Sequence, residues 1–219
     1  MGFGYKTAWF AARTPDSEAL ANALGLKQLT PSPANAAIEA AYREPGKVFV
    51  TPAIDGWTLA MSWNFLDFAD ETPPRFASLL PQLSAELGAE VQFFATYRVV
   101  DAHAWGCAAE GRLIRAYCTV GDETRLDVGE RTAAELQLGH CFFNHNAPEA
   151  AAEGYWARTD LSFVDEQHVT ELAALWSLDP SALDNMPPGF LADLAVPPAA
   201  PQPPPPPAAP IQKRWWPLW

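Results

Sequence analysis

The spacing of apolar and polar residues changes period several times along the chain, and each change predicts an element. Tyr5–Ala12 alternates loosely and is rich in aromatics, which predicts a strand. TPDSEALANALGL follows, with Ala19, Leu20, Ala23 and Leu24 at helical spacing. Asp16 or Ser17 caps that helix and Gly25 stops it. PANAAIEAAYREPG predicts a second short helix ending at Pro45-Gly46. KVFVTP and GWTLAMSW are strands joined by AIDG, whose Asp55-Gly56 pair is a turn signal. PPRFASLLPQLSAELG returns to helical spacing and ends at Gly88; Pro81 inside it is expected to kink the helix or delay its start.

EVQFFATYRVV is the next strand, followed by a meander of AHAWGCA, RLIRAYCTV and RLDVG with turns at AEG and GDET. TAAELQLG is a short helix, and GHCFFNHNAPEAAAEGYWART reads as loop. FVDEQHVTELAALWSL is helical, with Val169, Leu172, Ala173 and Trp176 on one face. DPSALDNM predicts one more helical turn, with Asp179 as its cap and Pro180 at its first position. PPGFLADL then leads into a Pro-rich end. The sum is α+β: an antiparallel sheet with a ferredoxin-like βαββαβ core, extended by the meander, with helices packed on it. Trp9, Phe49, Trp57, Phe94, Tyr117 and Trp176 are the expected core. Residues 1–194 form one domain and 195–219 a tail.

Composition sharpens this picture. The 219 residues are 49% hydrophobic, enough for a sizeable core. No apolar run approaches the roughly 18 residues needed to cross a bilayer. The start MGFGYKTAWF does not read as a signal peptide, so the expected location is the cytoplasm. The net charge is −12; residues 195–219 contain no acid and two bases, which leaves −14 on the body. A body this acidic repels nucleic acid and anionic membrane, and it speeds encounters with basic proteins. The three cysteines, Cys107, Cys118 and Cys141, are irregularly spaced and predict buried thiols rather than a disulfide framework.

Two loops concentrate groups capable of chemistry. GHCFFNHN brings His140, Cys141 and His145 close in sequence, a set that could ligate zinc or serve a Cys–His nucleophile. A zinc site needs three or four converging donors; only three lie close in sequence here and no matching pair occurs elsewhere, so no metal or other cofactor is expected. FLDFADET places Asp67, Asp70 and Glu71 together, as acid–base work or a divalent cation would need, and as a solvated loop before a helix would also have. No phosphate-binding glycine loop or G-x-S-x-G element is present.

The tail PPAAPQPPPPPAAPIQKRWWPLW combines ten prolines with Trp215, Trp216 and Trp219. Polyproline is stiff and cannot form a core, whereas tryptophan offers large apolar area. The tail is therefore expected to dock its tryptophans, flanked by Lys213 and Arg214, on its own body, on a second copy as a homodimer, or on another protein.

Three stretches carry a resemblance: GYKTAWFAART, KVFVTPAIDGWTLAMSW and VTELAALWSLDPSAL. Together they resemble uncharacterised bacterial immunity and accessory proteins encoded beside polymorphic or type VI-secreted toxins. The resemblance covers the first 185 residues and leaves the tail outside. It implies a non-enzymatic protein that neutralises a partner toxin by direct binding, with acidic side chains standing in for phosphates if the toxin is a basic nuclease. The partner-binding residues expected on this basis are Asp67, Asp70, Glu71, Asp165 and Glu166 on the body, with Lys213, Arg214, Trp215, Trp216 and Trp219 on the tail. An adaptor that recruits its partner through the tail is the alternative, and an enzyme using either loop is a second.

Overall fold

The computed structural model describes residues 6–183 and 185–195. The tail residues singled out above, Lys213, Arg214, Trp215, Trp216 and Trp219, lie outside them. Among the described residues, nine strands form one sheet: β1 (Lys6–Ala12), β2 (Lys27–Ser32), β3 (Lys47–Val50), β4 (Thr58–Ser62), β5 (Val91–Tyr97), β6 (Ala102–Ala109), β7 (Arg112–Val120), β8 (Glu123–Val128) and β9 (Gly189–Asp193). Their order is β2-β9-β3-β4-β1-β5-β6-β7-β8, and every pairing is antiparallel. Strands β3-β4-β1-β5 at the centre have the order of a split βαββαβ unit, and β6–β8 extend it as the expected meander.

Six α-helices pack on the two faces: α1 (Ser17–Ala23), α2 (Ala34–Arg43), α3 (Asp67–Asp70), α4 (Arg75–Leu87), α5 (Ala133–Gln137) and α6 (Glu166–Trp176). Strand alternation divides the core between those faces. Phe10, Ala60, Phe93 and Ala104 meet Leu20 of α1, Phe68 of α3 and Phe76 and Leu80 of α4. Trp9, Phe49, Met61, Phe94, Trp105 and Tyr117 meet Ala37 of α2 and Val169 and Leu172 of α6. Gly106 sets the approach of α4 to β6, because a Cβ there would sit 2.9 Å from Leu80 Cδ1 and 3.0 Å from Phe76 Cε2. Trp9, Phe49, Trp57, Phe94 and Tyr117 are buried as expected. Trp176 is only half-buried; it packs on Phe94 at 5.7 Å and its Nε1 donates to Thr132 Oγ1.

Three local expectations are corrected, and one strand that the apolar pattern did not mark is present. Helix α4 begins at Arg75, runs through Pro81 and ends at Gly88 in the left-handed region, so the proline does not delay its start. Residues 27–32 form the edge strand β2, whose side chains are largely exposed and whose Pro31 is tolerated because an edge position need not donate to the ladder. PPGFLADL is not a lead-in to the tail: it contains β9, inserted between β2 and β3. Gly189 permits that insertion, since a Cβ there would lie 2.2 Å from Val50 O. After Asp179 the chain makes a turn held by Ser181 N and Oγ on Asp179 Oδ1, rather than a helix.

Candidate functional site

The α6 face of the meander carries most of the buried charge. Arg115 of β7 enters this face at 2% exposure, and Glu135 of α5 meets it fully buried. Thr132 caps α5, and Glu135 three residues later closes a capping box. The Glu135 carboxylate is saturated. Its Oε2 accepts from Thr132 N at 2.8 Å and Thr132 Oγ1 at 3.0 Å, and its Oε1 from Trp105 Nε1 and Arg115 Nε, each at 2.9 Å. Arg115 Nη1 donates to Asp127 and to the carbonyls of Val128 and Gly129. Burial works against the Arg115 charge, and the Asp127 bond with the Glu135 charge outweighs it.

A cavity of about 320 Å³ opens beside this network. Its wall includes Arg115, Tyr117, Arg131, His140, Phe142 and Tyr155. Arg131 Nη1 donates to His140 O at 2.8 Å. The His140 ring packs against Trp105, Phe142 and His168 at 5.5, 5.2 and 5.3 Å. Among the described residues, neither of its ring nitrogens has a partner. Burial, then the nearby His168, push its pKa down to about 4, so the ring is neutral at pH 7.

Beyond the cavity, the segment read as loop carries aromatic rings outward. Phe143 stacks on Trp156 at 5.4 Å and meets Phe163 at 4.9 Å. Trp156 and Phe163 lie near-parallel at 12°, and they are 42% and 57% exposed. Tyr155 fixes the base of this ladder, since its hydroxyl accepts from Asn144 N at 2.9 Å. Residues 141–171 hold six acids and one arginine, so the rings stand in an acidic surround.

The sequence-derived candidates fall in different places. His140 is enclosed, Cys141 is half-buried on the cavity wall, and His145 is exposed beside Asp122. Among the described residues, no group of three His, Cys, Asp or Glu side chains is arranged to hold a metal. Cys107 and Cys118 are buried free thiols, each pushed up to about 12 by burial.

Asp67 and Asp70 lie on the opposite face, at a second cavity of about 310 Å³ lined also by Lys6, Trp63 and Tyr97. Burial, then the Asp70 charge, push the Asp67 carboxyl up. Lys6 Nζ sits over the Tyr97 and Trp63 rings at 4.4 and 5.4 Å. Asp70 pairs with Arg125 at 3.2 Å and Glu71 reaches Arg75 at 4.0 Å.

Asp165 and Glu166 start α6 on the ladder's face of the sheet. Asp165 is the N-cap, accepting from the N–H groups of Gln167 and His168. Burial pushes its carboxyl up, but the His168 backbone N–H and ring outweigh that and hold it below the usual range. Asp67, Asp70 and Glu71 therefore do not share a surface with Asp165 and Glu166.

Arg115, Glu135, Trp156 and Phe163 were not among the candidates. The Thr132-x-x-Glu135 spacing is a capping-box signature and marks Glu135; nothing local marks its partner on β7. No family model, curated protein or solved structure matches the chain. Among the described residues, no helix is long and apolar enough to cross a membrane.

Proposed function

We propose that the protein is a non-catalytic binding protein that captures a basic protein partner on the Phe143–Trp156–Phe163 ladder, and that in the cell it acts as an immunity protein neutralising a toxin by direct contact. The observation that carries this reading is the ladder itself: two large rings held outward on a folded base, within a segment of six acids and one arginine. Aromatic side chains of this kind dominate interface hot spots, and an acidic surround steers a basic partner. Glu166 belongs to that surround, and Asp165 contributes charge while also capping α6. Asp67, Asp70 and Glu71, on the other face, act on the encounter at longer range.

The test co-expresses the chain with each neighbouring gene product, scoring rescue from toxicity and direct binding. Wild type is expected to bind and rescue against one basic product. Trp156→Ala with Phe163→Ala is expected to weaken that binding by roughly a hundredfold or more. Absence of any toxic or bound product overturns the immunity reading. Undiminished binding by the double variant overturns the ladder as the site.

A further inference from the structure

We propose that the cavity between β7, α5 and the 141–161 segment binds a small organic carboxylate, gripped by Arg115 Nη2 and Arg131. The argument is a count of unspent hydrogen-bonding groups. By charge the wall is balanced: Arg115, Arg131 and Arg158 against Asp127, Glu135 and Glu149. By hydrogen bonds it is not. Both Glu135 oxygens are committed to Thr132, Trp105 and Arg115, and Asp127 Oδ1 accepts from Arg115, which leaves the exposed Asp127 Oδ2 and Glu149 as the wall's unspent carboxylate oxygens among the described residues. The arginines keep donors in reserve. Among the described residues, Arg115 uses Nε and Nη1 while its Nη2 has no acceptor; Arg131 uses Nη1 alone. A guanidinium carries five N–H donors in a planar fork that matches a carboxylate.

His140 adds the second observation. It is 2% exposed, lines the cavity, and has two ring nitrogens without a partner among the described residues, which buried polar groups in a finished core rarely lack. Tyr117, Phe142 and Tyr155 supply ring faces for an apolar body. The volume falls at the lower end of the roughly 300–1,000 Å³ typical of ligand cavities, which selects a small molecule. Glu149 is an exposed wall carboxylate without a donor among the described residues, so a cationic ligand is the competing outcome.

The test is calorimetric titration of the full chain with benzoate and salicylate, against benzamidine as the planar cation and benzyl alcohol as the neutral analogue. Saturable one-to-one binding of a carboxylate is expected, at least about tenfold tighter than benzyl alcohol. Arg131→Met should weaken it by about tenfold while the chain stays folded, its melting temperature falling only by the loss of the Arg131–His140 O bond. As a readout independent of any variant, the Arg115 side-chain N–H signals should move on titration of wild type. No saturable carboxylate binding at millimolar concentration overturns the proposal. So does tighter binding of benzamidine, or carboxylate binding that leaves the Arg115 signals in place.

Discussion

On the face covered by α1, α3 and α4, Phe10 packs against Phe65 and Phe93 at 5.1 and 4.9 Å, and Phe76 stacks on Phe93 at 4.7 Å. The other face of the same strands presents Trp9, Trp105 and Tyr117 and also takes in Arg115, Glu135 and His140. Among the described residues the first face buries no charged side chain; it is held mainly by apolar burial, with neutral hydrogen-bonded groups such as Ser84. The second contains charges that are tolerable inside only because they are paired and hydrogen-bonded to one another. Where a fold takes in polar groups it could have replaced with leucine, and projects rings into solvent beside them, a binding surface is the economical explanation. The proposed function rests on this contrast, which favours the α5–α6 side.

The largest effect should come from breaking the buried pair. Glu135→Leu leaves Arg115 with only the exposed Asp127 as its carboxylate partner and Trp105 Nε1 without its acceptor, and should cost about 3–5 kcal/mol in denaturant unfolding. Arg115→Met combined with Glu135→Leu should recover most of that loss, because a missing pair costs less than half a pair. On the Phe face, Phe93→Ala should cost about 3–5 kcal/mol through its cavity. A Glu135→Leu loss under about 1 kcal/mol would erase the distinction between the faces.

Next in size is a pH effect centred on the polar face. His140 has its folded pKa lowered to about 4, against about 6.5 unfolded, so the unfolded chain binds the extra proton first as pH falls. Its contribution is full above about pH 6.5 and is lost as pH falls towards 4, amounting to about 3 kcal/mol at most. His103, lowered mainly by burial, acts with the same sign. Chemical unfolding measured between pH 7.5 and 4 should show this slope, and His140→Leu should flatten it; an unchanged slope would mean the ring is not buried neutral.

Smaller still is the cap. Asp165→Ala should cost about 1 kcal/mol, and this loss bears on interpretation, since reversing Asp165 changes charge and helix stability together. Glu166→Lys is the cleaner probe of charge, because its side chain accepts no hydrogen bond among the described residues.

Much of the fold was legible because it rests on period. The α4 and α6 faces and the β5–β7 strands repeat apolar residues at spacings that only one kind of element satisfies. Strands β2 and β9 were not legible: one is a polar edge containing Pro31, and the other follows Pro187-Pro188, which resembles a linker. The site was less legible than the fold. His140 and Cys141 were visible as a cluster, yet their surroundings come from β6, β7 and α6. Glu135 carries a local signature, whereas Arg115 sits in the alternating strand RLIRAYCTV, where nothing says which charged residue turns inward. Trp156 and Phe163 belong to a segment with no period, so their stacking could not be read from spacing.

The most direct test of the polar face as the binding face measures association and dissociation rates with the basic partner for two matched variants. One removes the ladder, Trp156→Ala with Phe163→Ala. The other reverses charge on the opposite face, Asp67→Lys with Asp70→Lys and Glu71→Lys. Both rings cover Phe143, so the ladder variant should lose about 2–4 kcal/mol of stability yet stay folded, while its complex dissociates roughly a hundredfold or more faster. The charge variant should associate only a few-fold more slowly, with dissociation unchanged and the difference vanishing at high salt. Fast dissociation of the charge variant together with an unaltered ladder variant would place the partner on the other face and contradict the account.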